Sequence, residues 1–90
     1  LPVVGELVAL VARTGAGETA TFPIASVERR GTRMLWAAIP ADIPEQVAQK
    51  AARLASFYAN RLGVEGLLAI ELFVLADGRL AVNELVPGPH

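Results

Sequence analysis

Two glutamates near the C-terminal end are the residues best placed to do chemistry. Glu71 stands in the apolar run LLAIELFVL, Glu84 follows Asn83 in LAVNELVP, and Asp77-Gly78 lies between the two runs. Asp-Gly flanked by apolar runs signals a tight β-hairpin. A two-residue loop of Asp77 and Gly78 sets Ala76 against Arg79 and Leu75 against Leu80. Counting back along both strands then sets Leu72 against Asn83 and Glu71 against Glu84. The β-carbons of directly opposed residues lie about 4.5–5.5 Å apart, where like charges destabilise a sheet. An arginine, a shared proton or a hard cation can offset that repulsion. Among cations magnesium fits best: it takes oxygen ligands, commonly one or two carboxylates completed by the phosphates of a nucleotide, and Asn83 beside Glu84 adds a neutral oxygen. Ordinary ion pairing with Arg13, Arg33 or Arg79 is the competing reading, and a register slip of one residue would send the pair to opposite faces.

The elements that must position this pair are legible upstream. Val3 to Ala12 is apolar and rich in β-formers, with Glu6 its only charge, which suits a strand covered on both faces. Thr14-Gly15-Ala16-Gly17 is a turn cluster, and Thr19 to Ile24 pairs back as the second arm of a hairpin. The charges Glu28, Arg29 and Arg30 with Gly31 mark a loop, and Met34 to Ile39 forms a third strand ended by Pro40. From Asp42 the period changes. Val47, Ala51, Leu54, Ala55, Tyr58 and Leu62 recur at helical spacing, with Asp42 as cap, Pro44 and Glu45 in the first turn, and Gly63 as a left-handed terminus. Leu67 to Leu75 and Leu80 to Leu85 complete the order strand, strand, strand, helix, strand, strand. The expected fold class is α+β: a mostly antiparallel sheet with one main helix packed on it.

Composition narrows the chemistry. Ninety residues allow one small core, and 53% hydrophobic against 19% charged residues predicts a folded unit rather than a disordered one. Eight Lys+Arg against nine Asp+Glu leave a net charge of -1, without the basic surplus that grips a phosphodiester backbone, so nucleic acid is not an expected partner. Without cysteine, thiolate metal sites and thiol nucleophiles are excluded, and the single His90 cannot supply a polyhistidine cluster. The apolar runs are broken by Glu6, Arg13, Glu65 and Glu71 well short of the roughly 20 residues a bilayer span needs, so no membrane partner is expected. LPVVGELVALVAR does not read as a secretory signal. The closing VNELVPGPH stops inside a Pro/Gly-rich stretch, so the expectation is a single unit, residues 1–90, truncated at both ends.

The run GLLAIELFVLADGRLAVNELVPGPH resembles the metal-binding hairpin of the ATP-grasp enzymes, most closely that of the 5-(carboxyamino)imidazole ribonucleotide synthases, the ATPase subunits of phosphoribosylaminoimidazole carboxylase. The pattern is a Glu after an apolar strand, an Asp-Gly-type turn, then Asn-Glu and a Pro-containing loop; here these are Glu71, Asp77-Gly78, Asn83-Glu84 and Pro87. The similarity extends upstream through LPVVGELVALVAR, TGAGETATFP and the helix leading to LGVEGLLAIE. It implies the C-terminal part of an ATP-grasp domain, with Glu71 and Glu84 binding Mg2+, Asn83 and Glu84 at the nucleotide phosphates, and Glu6 at the ribose hydroxyls of ATP. Pro87 and His90 match the substrate loop. The sequence departs from the pattern at Glu28, where the family usually has a His, and at Gly88, where it usually has an Arg.

The resemblance implies an ATP-dependent ligase of purine biosynthesis. Bicarbonate and ATP would give carboxyphosphate, whose carboxyl group passes to the amine of aminoimidazole ribonucleotide. Its implied partners are these small molecules, the remainder of the ATP-grasp domain and a second copy in a homodimer, and its implied location is cytoplasmic. The isolated chain, holding the metal floor without the glycine-rich loop and lysines of the other subdomain, is expected to be inert. Other readings are a different ATP-grasp carboxylate–amine ligase, a degenerate homologue, and a non-catalytic α+β interaction module.

Overall fold

The computed structural model describes residues 2–88. Seven elements follow in order: β1 (Val3–Arg13), β2 (Thr19–Thr21), β3 (Ala25–Arg30), β4 (Arg33–Ala38), α1 (Glu45–Leu62), β5 (Gly66–Leu75) and β6 (Leu80–Pro87). All strand pairings are antiparallel, in the order β4-β3-β1-β5-β6, with β2 also paired to β1. The expected α+β architecture of an antiparallel sheet under one helix is therefore the observed one.

The core lies between α1 and one face of the sheet. Leu7, Ala9 and Val11 of β1 stand directly across from Leu72, Ile70 and Leu68 of β5, and all six are buried. Strand alternation sends every second residue to this face. Ala51, Ala55 and Ala59 of α1 are fully buried against it, and their small side chains let the helix axis come close. Val47, Leu54 and Tyr58 flank that row, whereas Leu62 is 55% exposed, because it lies in the last turn beyond the reach of the sheet.

Arg13 ties the end of β1 to the end of α1. Its Nε donates to Asn60 Oδ1 at 2.9 Å and its Nη1 to the Val64 carbonyl at 3.0 Å. Gly63, at φ 64°, closes α1 in the left-handed region as expected, and Val64 N donates to the Ala59 carbonyl.

Several boundaries differ from the sequence reading, each for a physical reason. β1 is not covered on both faces: Glu6, Val8, Leu10 and Ala12 on the second face are half-buried by neighbouring side chains rather than enclosed. The arm expected over Thr19–Ile24 is strand only through Thr21, since Pro23 cannot donate to a ladder, and Ile24 turns into the core. The charged segment expected as a loop is strand β3. Its charges are tolerated because Glu28, Arg29 and Arg30 stay exposed in a hairpin with β4, which runs Arg33–Ala38 rather than Met34–Ile39. Asp42 does not cap α1. Pro44 holds the cap position without a side-chain bond, and its carbonyl accepts from Val47 N and Ala48 N.

Candidate functional site

The hairpin of β5 and β6 reaches the expected pairing by an unexpected route. Its loop has three residues, not two. Leu75 N donates to the Arg79 carbonyl and Gly78 N to the Leu75 carbonyl, with Gly78 at φ 87°. This is a turn closed by a glycine in the left-handed region, which glycine enters without steric penalty. Asp77 fastens it: Oδ1 accepts from Arg79 N at 3.1 Å and Oδ2 from Arg79 Nε at 2.6 Å. These bonds, the backbone one foremost, hold the Asp77 carboxyl below its ordinary range.

The extra loop residue shifts the ladder by one, so that Val74 pairs with Leu80, Phe73 with Ala81 and Leu72 with Val82. A regular continuation would set Glu71 against Asn83 and Glu84 against Ile70, on the buried face. A β-bulge between Glu71 and Leu72 cancels the shift, and Glu71 pairs with Glu84. Leu72 therefore lies opposite Val82, not Asn83 as expected. Asn83 is the extra residue of the bulge, and its Nδ2 lies 3.5 Å from Glu71 Oε1, on the face that carries the two carboxylates. Glu71 is half-buried, while Asn83 and Glu84 are exposed.

Glu6 shares this face. It pairs with Phe73 and lies diagonally across from Glu71, which pairs with Val8. Its carboxylate forms an ion pair with Arg29 Nε. That bond, with the attraction of Glu6 and Glu71 behind it, raises the Arg29 guanidinium above its ordinary value despite partial desolvation. Sequence reading missed Arg29 because SVERRG looked like a loop. The signal was the alternation of Ala25, Val27 and Arg29, which puts Arg29 on the face of Val8 and Glu6 once β3 is paired to β1. Glu28, next in the chain, is on the other side by the same alternation.

The ion-pair alternatives for the two glutamates fall elsewhere: Arg13 is bound to Asn60 and the Val64 carbonyl, Arg79 to Asp77, and Arg33 opens β4, opposite Arg30 and at the other end of the sheet from β6. Pro87 is not in a loop but closes β6, paired with Leu68, and Gly88 N donates to the Leu67 carbonyl at 2.8 Å. His90 lies outside the described residues.

Could this face hold magnesium? Among the described residues no three acidic, histidine or cysteine side chains gather as a closed cage. Two carboxylates leaving one sheet face match the donor set of an ion that keeps its remaining positions for water and phosphate oxygens. No helix among the described residues is long and apolar enough to cross a membrane.

Known proteins share both the sequence and this arrangement of strands. The N5-carboxyaminoimidazole ribonucleotide synthase of Mycobacterium tuberculosis is 48% identical over 86 residues, covering 94% of this chain and 20% of that protein. The synthase of Bacillus subtilis is 41% identical over 85 residues, covering 94% and 22%. A solved N5-carboxyaminoimidazole ribonucleotide synthetase in complex with ADP superposes with a TM-score of 0.92 at 38% identity, over 100% of this chain and 24% of its own. The chain thus spans about a fifth of the length of the curated relatives it matches. The ATP-grasp domain family matches residues 1–90, from the lead-in to β1 through the Asn-Glu of β6 and beyond, and by that match the chain belongs to it.

Proposed function

We propose that the intact protein is an ATP-dependent ligase that carboxylates the amine of 5-aminoimidazole ribonucleotide, and that this chain supplies its magnesium-nucleotide floor. The single observation that carries the reading is the direct opposition of Glu71 and Glu84 across β5 and β6. Agreement with the synthases of Mycobacterium tuberculosis and Bacillus subtilis supports the choice of acceptor.

In this reading Glu71 and Glu84 hold Mg2+, Asn83 fixes the orientation of the Glu71 carboxylate, and Glu6 accepts hydrogen bonds from the ribose hydroxyls of ATP. Magnesium held by Glu71 and Glu84 would supply the positive charge that offsets the charge developing in phosphoryl transfer. The chain contributes position rather than proton transfer. A carboxylate pair on paired strands is held more firmly than one on loops. ATP phosphorylates bicarbonate to carboxyphosphate. The acceptor amine then takes the carboxyl group, and ADP and phosphate are released. Pro87 borders the substrate side, and homodimeric assembly and cytoplasmic residence belong to the same reading.

Replacing Glu84 by Gln in the intact protein tests it. ADP formation in the presence of bicarbonate and aminoimidazole ribonucleotide should fall on the order of 100-fold, the range for removing one group that stabilises transition-state charge. Unchanged turnover would remove the metal role of Glu84.

A further inference from the structure

The carboxylate face holds a cation of its own. Arg29 reaches from β3 to Glu6 on β1, and Glu6 lies diagonal to Glu71 on β5, a relation that sets the two residues about 7–8 Å apart. Glu71 in turn is opposed to Glu84. One guanidinium is therefore placed at the end of a row of three carboxylates that runs across three adjacent strands. Glu6 is the more covered partner, its side chain 16% exposed against 32% for Arg29, whose guanidinium stays open to water and salt.

We propose that Arg29 is the resident counter-ion of this carboxylate site, holding Glu6 in position and keeping Glu71 and Glu84 from retaining a divalent cation until a nucleotide brings phosphate oxygens. The inference rests on the magnesium-nucleotide reading of the same face. Two carboxylates with Asn83 form an oxygen-poor set for an ion that wants near-octahedral coordination. A fixed positive charge on the same face, at the end of the row beyond Glu6, disfavours a bare divalent ion further. Phosphates reverse the balance, because their negative charge answers both the metal and the guanidinium. Metal and nucleotide are then taken up together, not metal first. The raised basicity of the guanidinium comes chiefly from its bond to Glu6, and the smaller attraction of Glu71 agrees with this placement.

The test measures binding of Mn2+ alone to the intact protein, by electron paramagnetic resonance of the free ion, in wild type, Arg29→Gln and Arg29→Lys. Removing the charge should tighten Mn2+ binding roughly fivefold, the effect of one unit charge on a divalent ion about 8 Å away in a water-like dielectric. Lysine should restore the wild-type value. Equal Mn2+ affinity in wild type and Arg29→Gln, or weaker binding in Arg29→Gln, overturns the proposal and leaves Arg29 as a simple ion-pair partner. Adding Glu84→Gln to the Arg29→Gln variant separates this from the underlying reading. If Glu84→Gln leaves both Mn2+ binding and Mg-ATP binding unchanged, the metal site itself is wrong. If it weakens both while Arg29→Gln is without effect, only the counter-ion role fails.

Discussion

Glu71 and Glu84 face one another because two one-residue departures from a regular hairpin cancel. The three-residue loop around Gly78 moves the ladder one way, and the bulge at Asn83 moves it back. The bulge also brings Asn83 to the carboxylate face, where a regular strand would offer one polar residue in place of two. The hairpin thus accepts a like-charge pair that sequence selection for stability alone would not retain.

That opposition has a thermodynamic signature. In the absence of divalent metal, Glu84→Gln removes the repulsion and should stabilise the fold by roughly 0.2–1 kcal/mol, the range for cross-strand pairs. Thermal melting of the intact protein in chelator should therefore show the variant melting higher than wild type. With Mg-ATP present the order should reverse, because only the wild type gains from ligand binding.

The helix meets the sheet through alanines, so there is no space for a larger side chain there. Ala55 is fully buried. Ala55→Leu should cost about 1–3 kcal/mol by overpacking, read as a lowered urea midpoint, whereas Arg53→Leu on the exposed side of α1 should change stability by less than about 0.5 kcal/mol.

Gly63 ends α1 at a positive φ of 64°. Gly63→Ala should cost about 1 kcal/mol through left-handed strain, with the loss visible in urea unfolding. Gly63→Asn should lose less, since asparagine tolerates that conformation better.

Asp77 gives the hairpin a small acid dependence. Its folded pKa lies below the unfolded value, so the Arg79 bonds contribute fully above the unfolded pKa of about 4 and their contribution disappears as pH falls through the lowered folded value. Melting curves of wild type and Asp77→Asn should change their separation only below about pH 4 and run parallel above it. The Arg29 guanidinium has the opposite sign: with its basicity raised, it gives up its charge only at strongly alkaline pH and stays charged throughout the physiological range.

Much of this site was readable before any coordinates. Apolar periodicity located β1, α1 and β5, and the Asp-Gly turn with Asn-Glu beyond it located the pair of glutamates. Turn type was not readable, because Ala-Asp-Gly can serve a two-residue or a three-residue loop, and only the ladder decides. The expected pairing of Glu71 with Glu84 held although its count assumed the shorter loop and no bulge, since the two omissions were equal and opposite. β3 escaped notice because charge density hides a strand whose outer face meets water, and Arg29 was missed with it. Asp42 has the chemistry of a cap but stands two residues before Pro44, and chain direction there, not residue type, decides the terminus.

Glu71 lies on a strand bonded on both sides, while Glu84 lies on β6, the last strand of the described sheet. One jaw of the pair is thus anchored and the other can breathe with the sheet margin, where local opening needs least energy. On the proposal that this pair holds an ion, the gap between the carboxylates would be an adjustable length, and ions of somewhat different radius could be gripped by the same two residues without disturbing the helix-packed layer beneath.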